Sequence, residues 1–321
     1  MSPKLLSKLF IATLLIFIFC TSILFCLQYN SLLNIKKNQA EKNSRKIYSV
    51  ITENFDYTEQ LMVFMGKQIA RHDKAQDLDF IHKMFLNISQ LELARDNLFS
   101  WSKFDWVDKN NQQTVNLATG IEKDNPHDMS PRTYTREARL DPWKLKFVEP
   151  VFGYPSNVYV IPAGVGIINQ NKNYLGLIAV GIDINNLTSK INAHLNLGDQ
   201  FILIGSDQFN FILGSLDLGL DKDSKDIKEL TKQLQIKPIN PSGALSNSIN
   251  FQNINYIYSL DIKKYPYIIL TGYDAKIFWQ EFCALFMPNF TELLFITLLI
   301  ESFILIYRKK LIKKIQISHS S

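Results

Sequence analysis

The chain is poor in cysteine, in histidine and in clustered charge, and each shortage removes a class of function. Among 321 residues only Cys20, Cys26 and Cys283 occur, and all three lie in or beside apolar segments near the ends. The long stretch between them therefore holds neither a disulfide framework nor a cysteine-built metal site. The net charge is +5 with Lys and Arg scattered, so the basic patch that neutralises phosphates is missing and no nucleic-acid partner is expected. His72, His82, His127 and His194 stand too far apart for a local zinc motif. Gly164-x-Gly166 lacks the third glycine and following helix of a dinucleotide loop, and no nucleophile elbow occurs. No catalytic residue, cofactor or metal is expected.

Two long apolar runs are present instead. Leu9 to Leu27 is 19 residues without a charge, roughly 28 Å as a helix, which matches a bilayer core. Lys4 and Lys8 precede it and no small-x-small cleavage site follows Cys26, so it reads as an uncleaved anchor. Phe282 to Tyr307 reads as a second crossing, followed by RKKLIKK at 308–314. That basic cluster is expected to stay cytoplasmic, which puts both ends inside and the large middle outside the cell membrane, in a bacterial periplasm or its equivalent. Lys36, Lys37, Lys42, Arg45 and Lys46 lie just beyond the first crossing, on the outer side. Glu292 and Glu301 interrupt the second run nine positions apart, on opposite helix faces. One protonated carboxyl and one near the interface, or a polar contact with a partner helix, would accommodate them.

Between the runs, Val50, Ile51, Phe55, Leu61, Met62, Met65 and Ile69 recur every three or four residues, one face of a helix that continues the anchor. That stripe serves either the core or a homodimer contact through the N-terminal helix. A second helix is expected at Asp77–Leu93, followed by short β-branched and aromatic runs at 99–107, 114–118, 158–161, 164–169 and 174–184, about five strands of one antiparallel sheet. The order then repeats on a smaller scale, with a helix at 184–195, strands at 200–204 and 209–213, a helical stretch at 222–234, and strands at 248–252, 255–260 and 267–273. The expected fold is α+β, two modules with central antiparallel sheets on a long N-terminal helix. The expected boundaries are an anchor at 1–28, a stalk helix at 29–75, a membrane-distal module at 76–192, a membrane-proximal module at 193–280, a second crossing at 281–307 and a basic tail at 308–321.

The segment SPRTYTREA at 130–138 sets Tyr134 between Arg132 and Arg136. A guanidinium fork offers two parallel charge-assisted bonds to a carboxylate. If this segment is extended, the three side chains share one face; if it is helical, they diverge.

RTYTREA at 132–138, PW at 142–143, EPVFGY at 149–154, VYVIPAGVGI at 158–167 and YLGLIAVGIDINNLTSKI at 174–191, in that order, resemble the double Cache family of PAS-like extracytoplasmic sensor domains. Bacterial histidine kinases, chemoreceptors and diguanylate cyclases carry such domains. The resemblance covers about 30–280. It implies tandem PAS-like modules and a small carboxylate or amino-acid ligand in the distal one. It also implies Trp143 as an apolar wall, Tyr154 as a second hydroxyl and Asp183 as acceptor for a ligand ammonium. Lys144 stands where the family commonly has a second aromatic. Each residue has a plainer reading too: Arg132 and Arg136 as a solvated pair, Trp143 and Tyr154 as core, and Asp183 as the cap of the helix that follows or the partner of an arginine. A receptor of this family continues into a signalling coil and an output domain, whereas 14 residues follow Tyr307. The expectation is thus a sensor truncated after its second crossing, not an enzyme, whose output lies in a separate histidine kinase or other protein. The alternative is an envelope interaction protein that keeps the sensor fold without a ligand.

Overall fold

The computed structural model describes residues 3–93, 101–153, 158–206, 210–215, 225–236 and 242–319. The chain divides into two units, residues 1–39 with 252–255 and 273–321, and residues 40–251 with 256–272.

The first unit is built from two helices, the leading part of α1 (Pro3–Arg71) and a C-terminal helix, Ala275–His319. Both are long and apolar enough to cross a membrane. Rings line their contact: Phe25 meets Phe282 edge-on at 4.9 Å and Tyr29 meets Phe278 at 5.5 Å. Thr13, Thr21 and Ser22 return their hydroxyls to carbonyls of their own helix, so these three need no water. Lys36 pairs with Glu281 at 2.8 Å. Glu292 is exposed, while Glu301 is half-buried with Oε1 lacking a partner, as opposite helix faces require.

The second unit carries α2 (Leu78–Leu93) and then β1 (Trp101–Asp108), β2 (Gln112–Asn116), β3 (Gly120–Ile121) and β4 (His127–Asp128). A short helix α3 (Thr133–Leu140) precedes β5 (Leu145–Phe147), β6 (Val151–Gly153), β7 (Val158–Ile168) and β8 (Tyr174–Asp183). These strands form one antiparallel sheet of eight in the order β3-β2-β1-β8-β7-β5, with β4 on β2 and β6 on β7. About five strands were expected, and two of those, 158–161 and 164–169, are a single strand of 11 residues. Pro162 causes no break because it stands where the edge partner of β7 changes, from β6 at Val160 to β5 at Ala163.

Next come α4 (Ile184–Asn192), β9 (Asp199–Gly205), β10 (Phe211–Gly214) and α5 (Lys225–Ile236). Then follow β11 (Ser242–Phe251), β12 (Ile254–Ile262), β13 (Tyr267–Asp274) and the C-terminal helix, α6. The second sheet has five strands in the order β10-β9-β13-β12-β11.

The α1 stripe goes into the core: Ile51, Phe55, Met62, Met65 and Ile69 are fully buried, with Val50 and Leu61 packed against them. Strand alternation supplies the opposite wall, Phe104 and Trp106 from β1, Ile161, Ala163, Val165 and Ile167 from β7, and Ile178, Val180 and Ile182 from β8. Every second residue of these strands therefore faces away from α1, and that other face carries the site.

Candidate ligand-binding site

On the far face of the first sheet, β7 presents Val160, Pro162, Gly164 and Gly166, a row that is small where α3 crosses. A Cβ on Gly166 would fall on the carbonyl of Ala138, and one on Gly164 would sit 2.8 Å from the Tyr134 ring. The two glycines thus let α3 lie directly on the sheet. Tyr134 is pressed down with Val107, Met129, Leu177 and Ala179 as a small second core.

Beside this contact opens a cavity of about 660 Å³. Its floor is Ala179 to Gly181 of β8, one wall is Lys103, Asp105, Gln113 and Asn116 of β1 and β2, and the other is Met129, Arg132 and Tyr134. Lys103 and Asp105 face it together because they are two residues apart on one strand.

The electrostatics of this wall are unusual. Asp105 is only 6% exposed, and its Oδ1 has no hydrogen-bond partner. Burial pushes its carboxyl up to about 6; Lys103 and Gln113 oppose the shift and Glu122 adds to it. Burial also pushes the Tyr134 phenol well above its ordinary range, helped by Asp105 and opposed by Arg132, so Tyr134 stays a protonated donor. Arg132 is half-buried at the N-cap of α3, and among the described residues its guanidinium makes no ion pair or hydrogen bond. A buried carboxylate with one oxygen left without a hydrogen bond, and a half-buried cation with no partner among the described residues, are each costly unless something else meets them.

The residues expected at a site separate here. Arg132 and Tyr134 line the cavity. Arg136 does not, because the segment is helical from Thr133 and the side chains diverge, leaving Arg136 exposed. Trp143, at φ 69, donates its backbone N–H to the Gly166 carbonyl, and its side chain packs on the α1 side of the sheet. Asp183 caps α4, accepting from the Asn186 N–H at 3.0 Å, and is absent from the cavity wall. Tyr154 lies outside the described residues. Asp105 was not anticipated, although the alternation Lys103, Phe104, Asp105, Trp106 already placed a carboxylate on the side opposite two aromatics. Among the described residues no cluster of three or more His, Cys, Asp or Glu forms a metal site.

No protein-family model and no curated protein matches the chain. Solved structures do match in fold. The ligand-binding domain of the Pseudomonas fluorescens chemoreceptor CtaA, in complex with L-leucine, aligns with a TM-score of 0.58 and 13% identity over 78% of this chain and 99% of that one. The ligand-binding domain of the Campylobacter jejuni chemoreceptor Tlp3, in complex with L-valine, gives 0.51 and 13% over 78% and 98%. The extracellular domain of rpHK1S-Z16, described as a histidine kinase, gives 0.57 and 15% over 75% and 95%. At such identity the likeness speaks for the fold alone, and that fold is the one shared by the Cache-like extracellular sensor domains of histidine kinases and chemoreceptors.

Proposed function

We propose that this chain is a membrane-anchored sensor whose distal module takes up a small carboxylate metabolite, and that α1 and α6 pass the bound state across the membrane to an output domain outside this sequence. The apolar helices and the basic run at 308–314 support a two-pass arrangement in a bacterial inner membrane, with the sheets extracytoplasmic.

The observation that carries the reading is the pairing of Arg132 and Asp105 on one cavity. Arg132 meets the ligand carboxylate with its fork. Asp105 lines the same cavity and its carboxylate is not fully hydrogen-bonded, so it supplies the acceptor for a ligand ammonium. An amino acid satisfies both groups, whereas an organic acid leaves the buried carboxylate unmet and a simple amine leaves the guanidinium unmet. The role expected of Asp183 is thus reassigned to Asp105 in this proposal. That CtaA and Tlp3 were crystallised with leucine and valine agrees with this choice without establishing it.

Binding moves the equilibrium between signalling states by no more than its differential affinity for them. The test is thermal melting of the full chain in detergent micelles against amino acids, their deaminated acids and their decarboxylated amines. An amino acid is expected to raise the melting temperature in proportion to the logarithm of its concentration, and both truncated analogues to do so far more weakly. Arg132→Ala should abolish the shift and Arg136→Ala preserve it. No response to any amino acid, with a protein partner recovered instead, would transfer the case to an envelope interaction protein.

A further inference from the structure

We propose that the ligand of the distal cavity is an amino acid whose side chain ends in a neutral carboxamide, and that Asn116 selects it. This rests on the reading above that an amino acid fills that cavity, and it names the part of the ligand that Arg132 and Asp105 leave undetermined.

The cavity lining changes character along the sheet. Towards β6 and β7 it is apolar, with Phe152 and Val160, whereas towards β2, β3 and β4 it is polar, with Gln113, Asn116, Glu122 and His127. A bulge builds the polar end. Asp105 stands opposite Asn116 and Trp106 opposite Val115, but Val107 stands opposite Gln113, so Thr114 is an extra residue in β2. Gln113 and Asn116 therefore share the cavity face although they are three apart, while Val115 stays in the core with Trp106.

Asn116 keeps one function open, and its orientation is fixed. The residue is 3% exposed. Its Oδ1 accepts from the Ala118 and Thr119 N–H groups at 2.8 and 3.1 Å, closing the turn that leads into β3. Only the amide oxygen can accept, so these two bonds decide which way the group points and turn Nδ2 away from the loop. Nδ2 makes no hydrogen bond among the described residues and, unlike Asp105 Oδ1, it is not sealed from the surface. Its two donors are thus open to the cavity that Asn116 lines.

Residues opposite each other on paired strands hold their Cβ atoms about 5 Å apart, so a ligand ammonium at Asp105 brings the ligand's own side chain within reach of Asn116. A hydrocarbon there would bury the two donors unmet, whereas a carbonyl oxygen meets them. Charge then chooses among acceptors. Lys103 stands against Asp105, but Glu122, which accepts from the Thr119 hydroxyl at 2.6 Å, has no ion pair among the described residues. A side-chain carboxylate would meet Glu122 as a like charge, and an ammonium or guanidinium has no acceptor to offer Nδ2. A carboxamide offers its oxygen to Asn116 and its N–H groups to Glu122.

Calorimetry on the full chain in micelles tests the proposal, with L-glutamine and L-asparagine as probes against L-methionine, L-leucine, L-glutamate and L-lysine. The better of the two amides is expected to bind about tenfold more tightly than any of the other four. Asn116→Asp keeps the oxygen that closes the turn and deletes both amide donors. It should lower the ratio of glutamine to methionine affinity about tenfold, a ratio from which effects on the shared head group cancel. Methionine, leucine, glutamate or lysine matching the better amide in the natural chain would overturn the inference and leave the amino-acid reading standing. A ratio unchanged in Asn116→Asp would do the same. No binding of any amino acid would overturn both, and the comparison of ligands on the natural chain decides the case even where the variant fails to fold.

Discussion

Lys103 Nζ and Asp105 Oδ2 lie 3.9 Å apart on the same side of β1, close enough for attraction and too far for a hydrogen bond. The pair leaves Asp105 Oδ1 buried without a hydrogen bond. A fully formed pair would have made this wall inert.

The buried carboxylate has a cost that pH reveals. With the Asp105 carboxyl pushed up to about 6 by burial, the unfolded chain releases this proton near pH 4 while the folded chain still holds it. Stability therefore falls as pH rises between about 4 and about 6, and the full cost, roughly 3 kcal/mol, persists above that window. Asp105→Asn should stabilise the empty chain by up to that amount at pH 7.5 and by nothing near pH 3.5, in denaturant titrations. It should also lose the response to amino acids. A variant no more stable than wild type at pH 7.5 would mean that the carboxylate is already satisfied.

Asp183 separates a cap from a ligand group. Asp183→Ala removes the acceptor for the Asn186 N–H and should cost about 1 kcal/mol, with Asp183→Ser recovering most of it. Ligand affinity should stay within about twofold once the melting curves are corrected for stability. A tenfold loss of affinity in the Ser variant would restore the expected ammonium role.

Lys264 on the β12–β13 turn reaches two acids of α1, Asp56 at 2.8 Å and Glu59, while Tyr265 donates to Asp56 and the Leu145 N–H donates to Glu59 at 3.1 Å. Both sheets are thereby fastened to one turn of one helix. Burial works to raise the Asp56 carboxyl, but the bonds from Lys264 and Tyr265 and the Lys264 charge outweigh it and hold it below its ordinary value. Its contribution is present above pH 4 or so and is lost as pH falls through the depressed value. Lys264→Met should cost about 1 kcal/mol at pH 7, a modest sum because Lys264 is half exposed. It should also flatten the acid limb of stability, and hydrogen exchange at Leu145 should quicken.

The helices were legible because their cause is periodic. Val50 to Ile69 repeats every three or four residues, and only one face of a helix collects that pattern. The sequence suggests two strands, 158–161 and 164–169, on either side of Pro162, whereas pairing by two successive edge strands carries β7 through. Tyr134 and Arg132, which both line the distal cavity, stood out by local chemistry, a guanidinium next to an aromatic. Arg136 was carried along by the same logic and separated only by the helix geometry of α3.

What the order of residues determined alone was composition-driven: two apolar helices, alternating strands, a capping acid before α4, and the absence of cysteine and histidine clusters. Those outcomes follow from neighbours within a few positions, whose interactions are set by backbone periodicity. Which carboxylate faces the hollow was decided in three dimensions. Asp183 and Asp105 are both acids on adjoining strands, and only the register of β1 against β8, Asp105 opposite Ala179, puts one on the cavity that Arg132 also lines and leaves the other to cap a helix. Register depends on long-range packing of the sheet against α1, a free energy that no short window of sequence contains.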